Sequence, residues 1–449
     1  MASPCATACI SLTVVVAALT SVSGRAAGAA PLQLRELHVV RSGRQRRARQ
    51  RRLLSEFAFE LLPESERLAA IARAAPDVAA HLPLHFDEAR ANPCWRANGT
   101  LHCLPAFYLA GGMQCGVAGL WSRLRKHEHV LHEGYDSAPH WWTNHPRSRV
   151  GSFDRYVGLF SSRRALAQLE REPRAVLGDV SPASLAFIMA EELRLHYLYL
   201  DAFSACHGRC RGATPPAEHA AACRNRTYAL EHCYAEAQAA MVPLDFNVPS
   251  FLATVMGARP PRVVLMLRDP TWRLWIAFHT YGQYPARYGR GAAGFAGYFG
   301  NQSLAFARCE TAHGRRRCAL RFEAHGPAEA DVYYHCDQLA KGMYAAFVPE
   351  WRAALPADRL LILRAEEVAA APGRALRRVG ALLGLRRFSD EEMRAAEAVR
   401  STDEAGRVQA EHGPPPAAAA TRVRRFYGPW NRALAAMLGD DAFLWRQVD

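Results

Sequence analysis

The residues best placed to do chemistry lie in 106–124, where the apolar run Phe107-Tyr-Leu-Ala110 meets Gly111-Gly-Met-Gln-Cys-Gly116 and then a helical pattern. Gly111, Gly112, Gly116 and Gly119 let the backbone turn tightly and approach a ligand. A helix opening here, with Leu120 and Leu124 on one face, aims its N-terminal N–H groups at an anion. The spacing predicts a buried strand, a phosphate-cradling loop and a helix running to about His129. A glycine-rich turn without ligand is the alternative. A Walker loop would end in Gly-Lys-Ser/Thr, and Gly116-Val117-Ala118 stands here instead, which excludes an ATPase loop.

Arg268 is a second candidate. It ends the run Arg262-Val-Val-Leu-Met-Leu267, which reads as a strand buried on both faces of a parallel sheet. Open α/β sheets bind ligands at that end of a strand, so Arg268 is expected to hold phosphate; its alternative is an ion pair with Asp269. In Ser137-Ala-Pro-His-Trp-Trp142 a histidine stands beside two aromatics that either wall a ligand cleft or pack in the core.

Strand and helix patterns alternate around these residues. Ala175-Val-Leu-Gly-Asp179 reads as a strand, followed by Ser181 at an N-cap and Pro182 at the first helical position. A helix is expected over 341–351, a strand over 359–364, an amphipathic helix over 371–384 and a last helix over 422–438. The stretches 194–249 and 281–332 read as insertions, the second of them irregular, and 412–420 as a flexible loop. The expected fold is a three-layer, P-loop-like parallel sheet with helices on both faces and loop or helical insertions.

The 449 residues carry a formal net charge of +14, which favours acidic partners such as polyanionic glycans or nucleotides. Lys126 and Lys341 are the only lysines, so the charge is almost entirely arginine; no zinc-finger spacing or aromatic RNA-binding signature accompanies it, and nucleic acid is discounted. The apolar stretch over 10–24 reads as a signal peptide or short signal anchor, within a first segment 1–30. A basic stem and lead-in follows over 31–104, with helical spacing over 53–84 and an irregular lead-in over 92–105, and the folded domain takes 105–449. Cys94, Cys103, Cys206, Cys210, Cys223, Cys233, Cys309, Cys318 and Cys336 lie in polar surroundings where an oxidising compartment would pair them. A zinc cluster in 206–233 would need a paired C-x-x-C, which is missing, and no metal is expected. Sequons at Asn98, Asn225 and Asn301 fit a lumenal chain.

With these blocks in place, the chain resembles the Golgi carbohydrate sulfotransferases, most closely the N-acetylgalactosamine 4-sulfate 6-O-sulfotransferase group. The resemblance rests on Phe107-Tyr-Leu-Ala-Gly-Gly-Met-Gln-Cys-Gly116, Pro139-His-Trp-Trp142, Gly178-Asp-Val-Ser-Pro182 and Leu267-Arg-Asp-Pro-Thr-Trp-Arg-Leu274, continued by Gly342-Met-Tyr344, Trp351, Phe426-Tyr427 and Asn431. It implies the sulfotransferase type of the fold and transfer of a sulfonate from 3′-phosphoadenosine 5′-phosphosulfate to a sugar hydroxyl of an acidic or sulfated glycan. It also implies a place in the Golgi lumen, as a type II membrane protein or, after cleavage, a secreted one. Donor binding would fall to Gly112, Gln114, Cys115, Gly116, Val117, Ala118, Arg268 and Arg407.

The chain departs from the family pattern at informative positions. The family's loop lysine is Gln114 here and its two threonines are Val117 and Ala118. The glutamate that serves relatives as general base is Ala138, which leaves His140 as the nearest substitute, with Gln114 as the remaining side-chain donor. The serine eight residues beyond the phosphate-binding arginine is Ile276, and the basic glycine loop near the C-terminus is Glu411-His-Gly-Pro-Pro415, with Arg407 nearby. These losses define a second reading, a catalytically inactive member that binds acidic glycans or regulates a partner.

Overall fold

The first sheet element is a hairpin, β1 (Cys94–Ala97) paired antiparallel with β2 (Thr100–Cys103). Its turn is Asn98-Gly99, both at positive φ (51° and 76°), the combination a two-residue hairpin turn favours. Cys94 and Cys103 face each other in the register and are joined by a disulfide. The expectation of an irregular lead-in over 92–105 is therefore corrected, because Asn98 acts as turn residue as well as sequon. The computed structural model describes residues 68–69, 71–72, 75–132, 138–144, 152–185, 206, 233, 248–315, 318–319, 338–399 and 404–446, all within the unit Ala58–Asp449.

Beyond the hairpin run β3 (Phe107–Gly111), α1 (Val117–Leu124), β4 (Val130–Leu131), α2 (Trp141–Asn144), α3 (Phe153–Gly158), α4 (Arg163–Arg171) and β5 (Val176–Asp179). Then come α5 (Val248–Met256), β6 (Arg262–Leu267), α6 (Pro270–Thr280), α7 (Gln283–Tyr288), α8 (Gly291–His313) and α9 (Val348–Ala354). After β7 (Leu360–Arg364) follow α10 (Ala365–Ala370), α11 (Pro372–Leu383), α12 (Asp390–Glu397), α13 (Glu404–His412) and α14 (Ala417–Leu438). The five later strands form one parallel sheet in the order β4-β5-β3-β6-β7. Every residue of β3 and β5 is buried, and successive side chains point to opposite faces, so helices must cover both. The three-layer parallel fold expected from the sequence is what forms. Because β3 has β5 on one side and β6 on the other, the chain reverses its direction of winding there, and open α/β sheets bind ligands beyond the carboxyl ends of the strands at such a point.

Several elements differ from expectation. The stretch from Tyr281 is helical through α7 and α8 as far as His313. Glycines 291, 294, 297 and 300 lower its intrinsic helix propensity, but a Cβ at Gly294 would lie only 1.8 Å from the Gly289 carbonyl oxygen, so close packing of α7 on α8 demands glycine there. The helix expected over 341–351 is two 3₁₀ turns, Ala340–Gly342 and Tyr344–Ala346, and α9 starts afterwards with proline in its first turn. The loop expected over 412–420 shortens to a turn at 413–416, and α1 stops at Leu124. The signal segment, residues 31–67 of the stem and lead-in and, apart from Cys206, Cys233 and residues 248–249, the insertion over 194–249 lie outside the described residues. Cys206 and Cys233 are joined by a disulfide, as are Cys309 and Cys318. Among the described residues no helix is long and apolar enough to cross a membrane.

Candidate active site at the carboxyl end of the sheet

The loop after β3 is built on two glycines that nothing larger can replace. A Cβ on Gly111 would meet the Met266 carbonyl oxygen at 2.6 Å, and one on Gly112 would meet Cys115 Sγ at 2.9 Å. The Gly112 N–H donates to the Met266 carbonyl (3.3 Å) and the Cys115 N–H to the Gly112 carbonyl (3.1 Å), which curls the loop back over β6. Gln114 (φ 66°) and Gly116 (φ 82°) take left-handed conformations, and Gly116 caps α1 without a side-chain bond. The N–H groups of Val117, Ala118 and Gly119 lack partners within the helix by geometry, so the first turn presents them to an anion. Val117 is buried and Ala118 exposed, and neither methyl-bearing side chain can donate a hydrogen bond.

Two arginines bring positive charge to this loop. Burial pushes the Cys115 thiol up, while the guanidinium groups of Arg273 and Arg268 pull it down, which places both charges beside the loop. Tyr344 couples them: its hydroxyl donates to the Arg268 carbonyl (2.7 Å), accepts from the Arg268 N–H (3.4 Å) and lies 3.5 Å from Cys115 Sγ. Arg273, fully buried on α6, donates to the Gln338 side-chain oxygen (3.0 Å), to the Gln338 carbonyl and to the Met113 carbonyl (3.4 Å). Asp269 caps α6 by accepting from the Thr271 N–H at 2.8 Å, and its own N–H donates to Glu366 at 2.8 Å.

His140 is placed by a separate buried network at the end of β5. Its N–H donates to Ser181 Oγ (3.0 Å), whose hydroxyl donates to Asp179 Oδ1 (2.5 Å). Tyr156 donates to the other oxygen of Asp179 (2.7 Å) and accepts from Trp142 Nε1 (2.8 Å). Ser181 makes no cap bond to the short 3₁₀ turn Pro182–Ser184, because its hydroxyl is committed to Asp179. Ser181 holds the expected N-cap position, while its hydroxyl oxygen sets the backbone of His140, which sits at φ 49°. Trp141 and Trp142 are buried among Phe153, Tyr156 and Phe251, so they are core and not a cleft wall. Burial, reinforced by the Lys341 charge, lowers His140 to about 4. At neutral pH its imidazole is uncharged and can accept a proton, although weakly.

The structure thus gathers Gly112, Gln114, Cys115, Gly116, Val117 and Ala118 in one loop with Arg268 beside it, and it sets His140 with Ser181 and Lys341. Arg407 stands apart. It pairs with Glu411 at 3.3 Å, and its charge acts on His279 near the other end of α6, about 14 Å from the start of that helix. Ile276, where the family pattern has a serine, is fully buried. Sequence reasoning missed Arg273, Tyr344 and Gln338, which hold the loop, and Asp179, which anchors Ser181. The one available signal was Arg273, a charge on the otherwise apolar helix that follows Arg268.

The buried acids and histidines give opposite pH dependences. Burial raises Asp179 and Asp269 to about 6, so each binds more protons folded than unfolded, and stability falls as pH rises from about 4 to 6. His140 and His279 are lowered to about 4, first of all by burial; they bind fewer protons folded, and stability rises across the same window. Asparagine caps helices as well as aspartate does, so Asp269→Asn removes only the titration. Urea unfolding from pH 4 to 6 should show the variant gaining stability with pH relative to wild type, by about 3 kcal/mol at most from the 3.8-to-6 shift. A parallel pair of curves would show that Asp269 does not titrate there.

No family model matches the chain. In sequence it is similar to "Carbohydrate sulfotransferase 15" of Mus musculus, 24% identical over 360 residues, 77% of this chain and 55% of that protein. The proteins of the same name from Rattus norvegicus and Homo sapiens are 24% and 25% identical over 359 residues, with the same coverage. The chain therefore spans about half the length of these curated relatives. A solved sulfotransferase from Alicyclobacillus acidocaldarius overlaps 77% of this chain and 99% of its own at 16% identity and a TM-score of 0.38. The resemblance read from the ordered sequence blocks is matched by these relatives, and the chain is similar, over about three quarters of its length, to the carbohydrate sulfotransferases.

Proposed function

We propose that the chain transfers a sulfonate from 3′-phosphoadenosine 5′-phosphosulfate to a sugar hydroxyl of an acidic or sulfated glycan, with the 6-hydroxyl of an N-acetylgalactosamine sulfate as the acceptor that the resemblance implies. The observation that carries this reading is the open first turn of α1, preceded by a glycine loop and flanked by the charges of Arg268 and Arg273. In this reading the loop amides and Arg268 hold the donor's phosphates. The acceptor oxygen attacks sulfur in line, the bond from sulfur to the phosphate oxygen breaks, and the acceptor proton passes to the uncharged ring of His140. Gln114 donates a hydrogen bond toward the transferring group, and Arg407, at the far end of α6, has a role only where the donor extends along that helix. Disulfides among the described residues support an oxidising compartment, and together with the apolar N-terminal sequence they favour the secretory pathway, in the Golgi lumen or secreted.

Gln114, Ala138 and Ile276 favour the second reading, a glycan-binding or regulatory protein without turnover. Calorimetry with the donor and its desulfonated nucleotide, followed by transfer of labelled sulfonate to a panel of sulfated and unsulfated glycans, separates the two. Arg268→Ala should weaken nucleotide binding about 30-fold, the worth of one charge-assisted hydrogen bond to phosphate. Binding without transfer to any glycan selects the second reading; absence of both binding and transfer removes the first.

A further inference from the structure

A cleft of about 190 Å³ runs along β4, the edge strand of the sheet, between the turn that leads out of α1 and the first turns of α4. Arg125, Lys126, His132 and Arg164 line it and are exposed. Arg125 and Lys126 enter no ion pair among the described residues. Glu128, the carboxylate in the lining, is held by Arg386 at 2.6 Å, so its charge is offset from outside the cleft. Arg125 and Lys126 therefore bring two positive charges to a concave surface that Arg164 also lines, and the Glu128 charge there is offset. Such a surface selects a ligand carrying several anionic groups. Among the described residues no phenylalanine, tyrosine or tryptophan lines it, so these offer no platform on which bases of a single-stranded nucleic acid would stack. The Gln168 amide in the lining suits a hydroxyl-rich chain.

One strand, β5, separates β4 from β3, about 10 Å across the sheet, and Arg125 and Lys126 follow the far end of α1, about 12 Å along that helix from the loop. We infer that this edge cleft is a binding site for the sulfates or carboxylates of an acidic glycan, gripping the acceptor chain a few sugars away from the hydroxyl presented to the loop. The inference rests on the transfer reading for its choice of chain, while the anion site itself depends only on the cleft.

The test uses the full chain, a heparin hexasaccharide, its desulfated counterpart and the nucleotide 3′-phosphoadenosine 5′-phosphate. Arg125→Ala/Lys126→Ala/Arg164→Ala should weaken hexasaccharide binding at least tenfold. It should also lower the slope of log K against log salt by about 2 to 3, and leave nucleotide affinity unchanged. Arg164→Glu alone puts an acid in the first turn of α4, where the helix favours it, and should weaken the same binding in a folded protein. Arg374→Ala/Arg377→Ala/Arg394→Ala, which removes as many exposed charges elsewhere, should change neither affinity. Equal loss in that control, or no loss in the cleft variants, overturns the site. Equal binding of the desulfated sugar, or tighter binding of an oligonucleotide of matched charge, overturns the glycan assignment. Nucleotide that fails to bind while the cleft variants still lose the hexasaccharide would sink the transfer reading and leave the cleft standing.

Discussion

Under the proposed transfer reading, Gln114→Lys is expected to raise sulfonate transfer by on the order of 10²–10³, with donor KM changed far less than kcat. Position 114 lies in the loop between Gly112 and the first turn of α1, at φ 66°. Glutamine already bears the strain of that left-handed backbone, so lysine adds no new Cβ clash. The gain comes from charge. An amide N–H offers a partial dipole to the oxygens that become more negative as the sulfonate leaves, whereas an ammonium offers a full charge in a water-poor site, where it counts most. The family pattern that the sequence resembles has lysine at this place, and the left-handed loop backbone that would hold it is formed here. Steady-state kinetics with the donor and the best acceptor check the outcome. A variant with unaltered kcat would mean that side chain 114 does not reach the reacting group and that the loop acts through its amides alone. A variant that gains activity from an undetectable wild-type level would identify the natural protein as a binder with a restorable site.

Arg273→Met should cost about 3 kcal/mol of stability and loosen the donor loop along with it. Arg273 is fully buried, and its guanidinium satisfies both the side chain and the backbone carbonyl of Gln338 as well as the Met113 carbonyl. Methionine fills a similar volume, so the loss is electrostatic: buried acceptors are left without a donor, at about 1–3 kcal/mol each. Removal of the buried cation itself returns some desolvation energy, which keeps the net below the sum. The urea midpoint should fall, with the slope unchanged. Nucleotide affinity should fall in parallel, because Met113 stands next to Gln114 and loses the contact that holds it. A variant as stable as wild type would show that Gln338 and Met113 find other partners when the guanidinium goes.

The strands that carry the site were legible because their sequences are continuous apolar runs ending in glycine or a charge, as at Gly111, Asp179 and Arg268. Elements whose existence depends on distant packing were not. β4 is two residues long and is a strand only because β5 pairs with it; α8 overcomes its glycines only because α7 lies against it. In the site, Gly112 and Arg268 were visible by position relative to a strand end, and His140 by the family pattern that leaves Ala138 in place of its glutamate. Arg273 and Tyr344 were not, since a buried arginine and a tyrosine give no local sign that they hold a loop some 160 and 230 residues away in sequence. Ser181 stands at the N-cap position ahead of Pro182 as read, but the bond its hydroxyl makes was not legible, because the competing acceptor, Asp179, is brought to it by the buried end of β5.

The hairpin at the start of the domain is tied down from two directions. The Asn92 side chain donates to the Ala175 carbonyl and accepts from the Leu177 N–H, and Arg259 donates to the carbonyls of Asp87, Arg90 and Asn92. The Cys94–Cys103 bridge, by contrast, closes over only nine residues. During synthesis these events separate in time. The bridge can form as soon as its two cysteines clear the ribosome, but Arg259 emerges 172 residues after Asp87, roughly 10 to 30 s later at ordinary rates of elongation. Through that interval the hairpin is a finished local unit waiting for its dock, and the domain's first strands are fastened only once its middle has emerged.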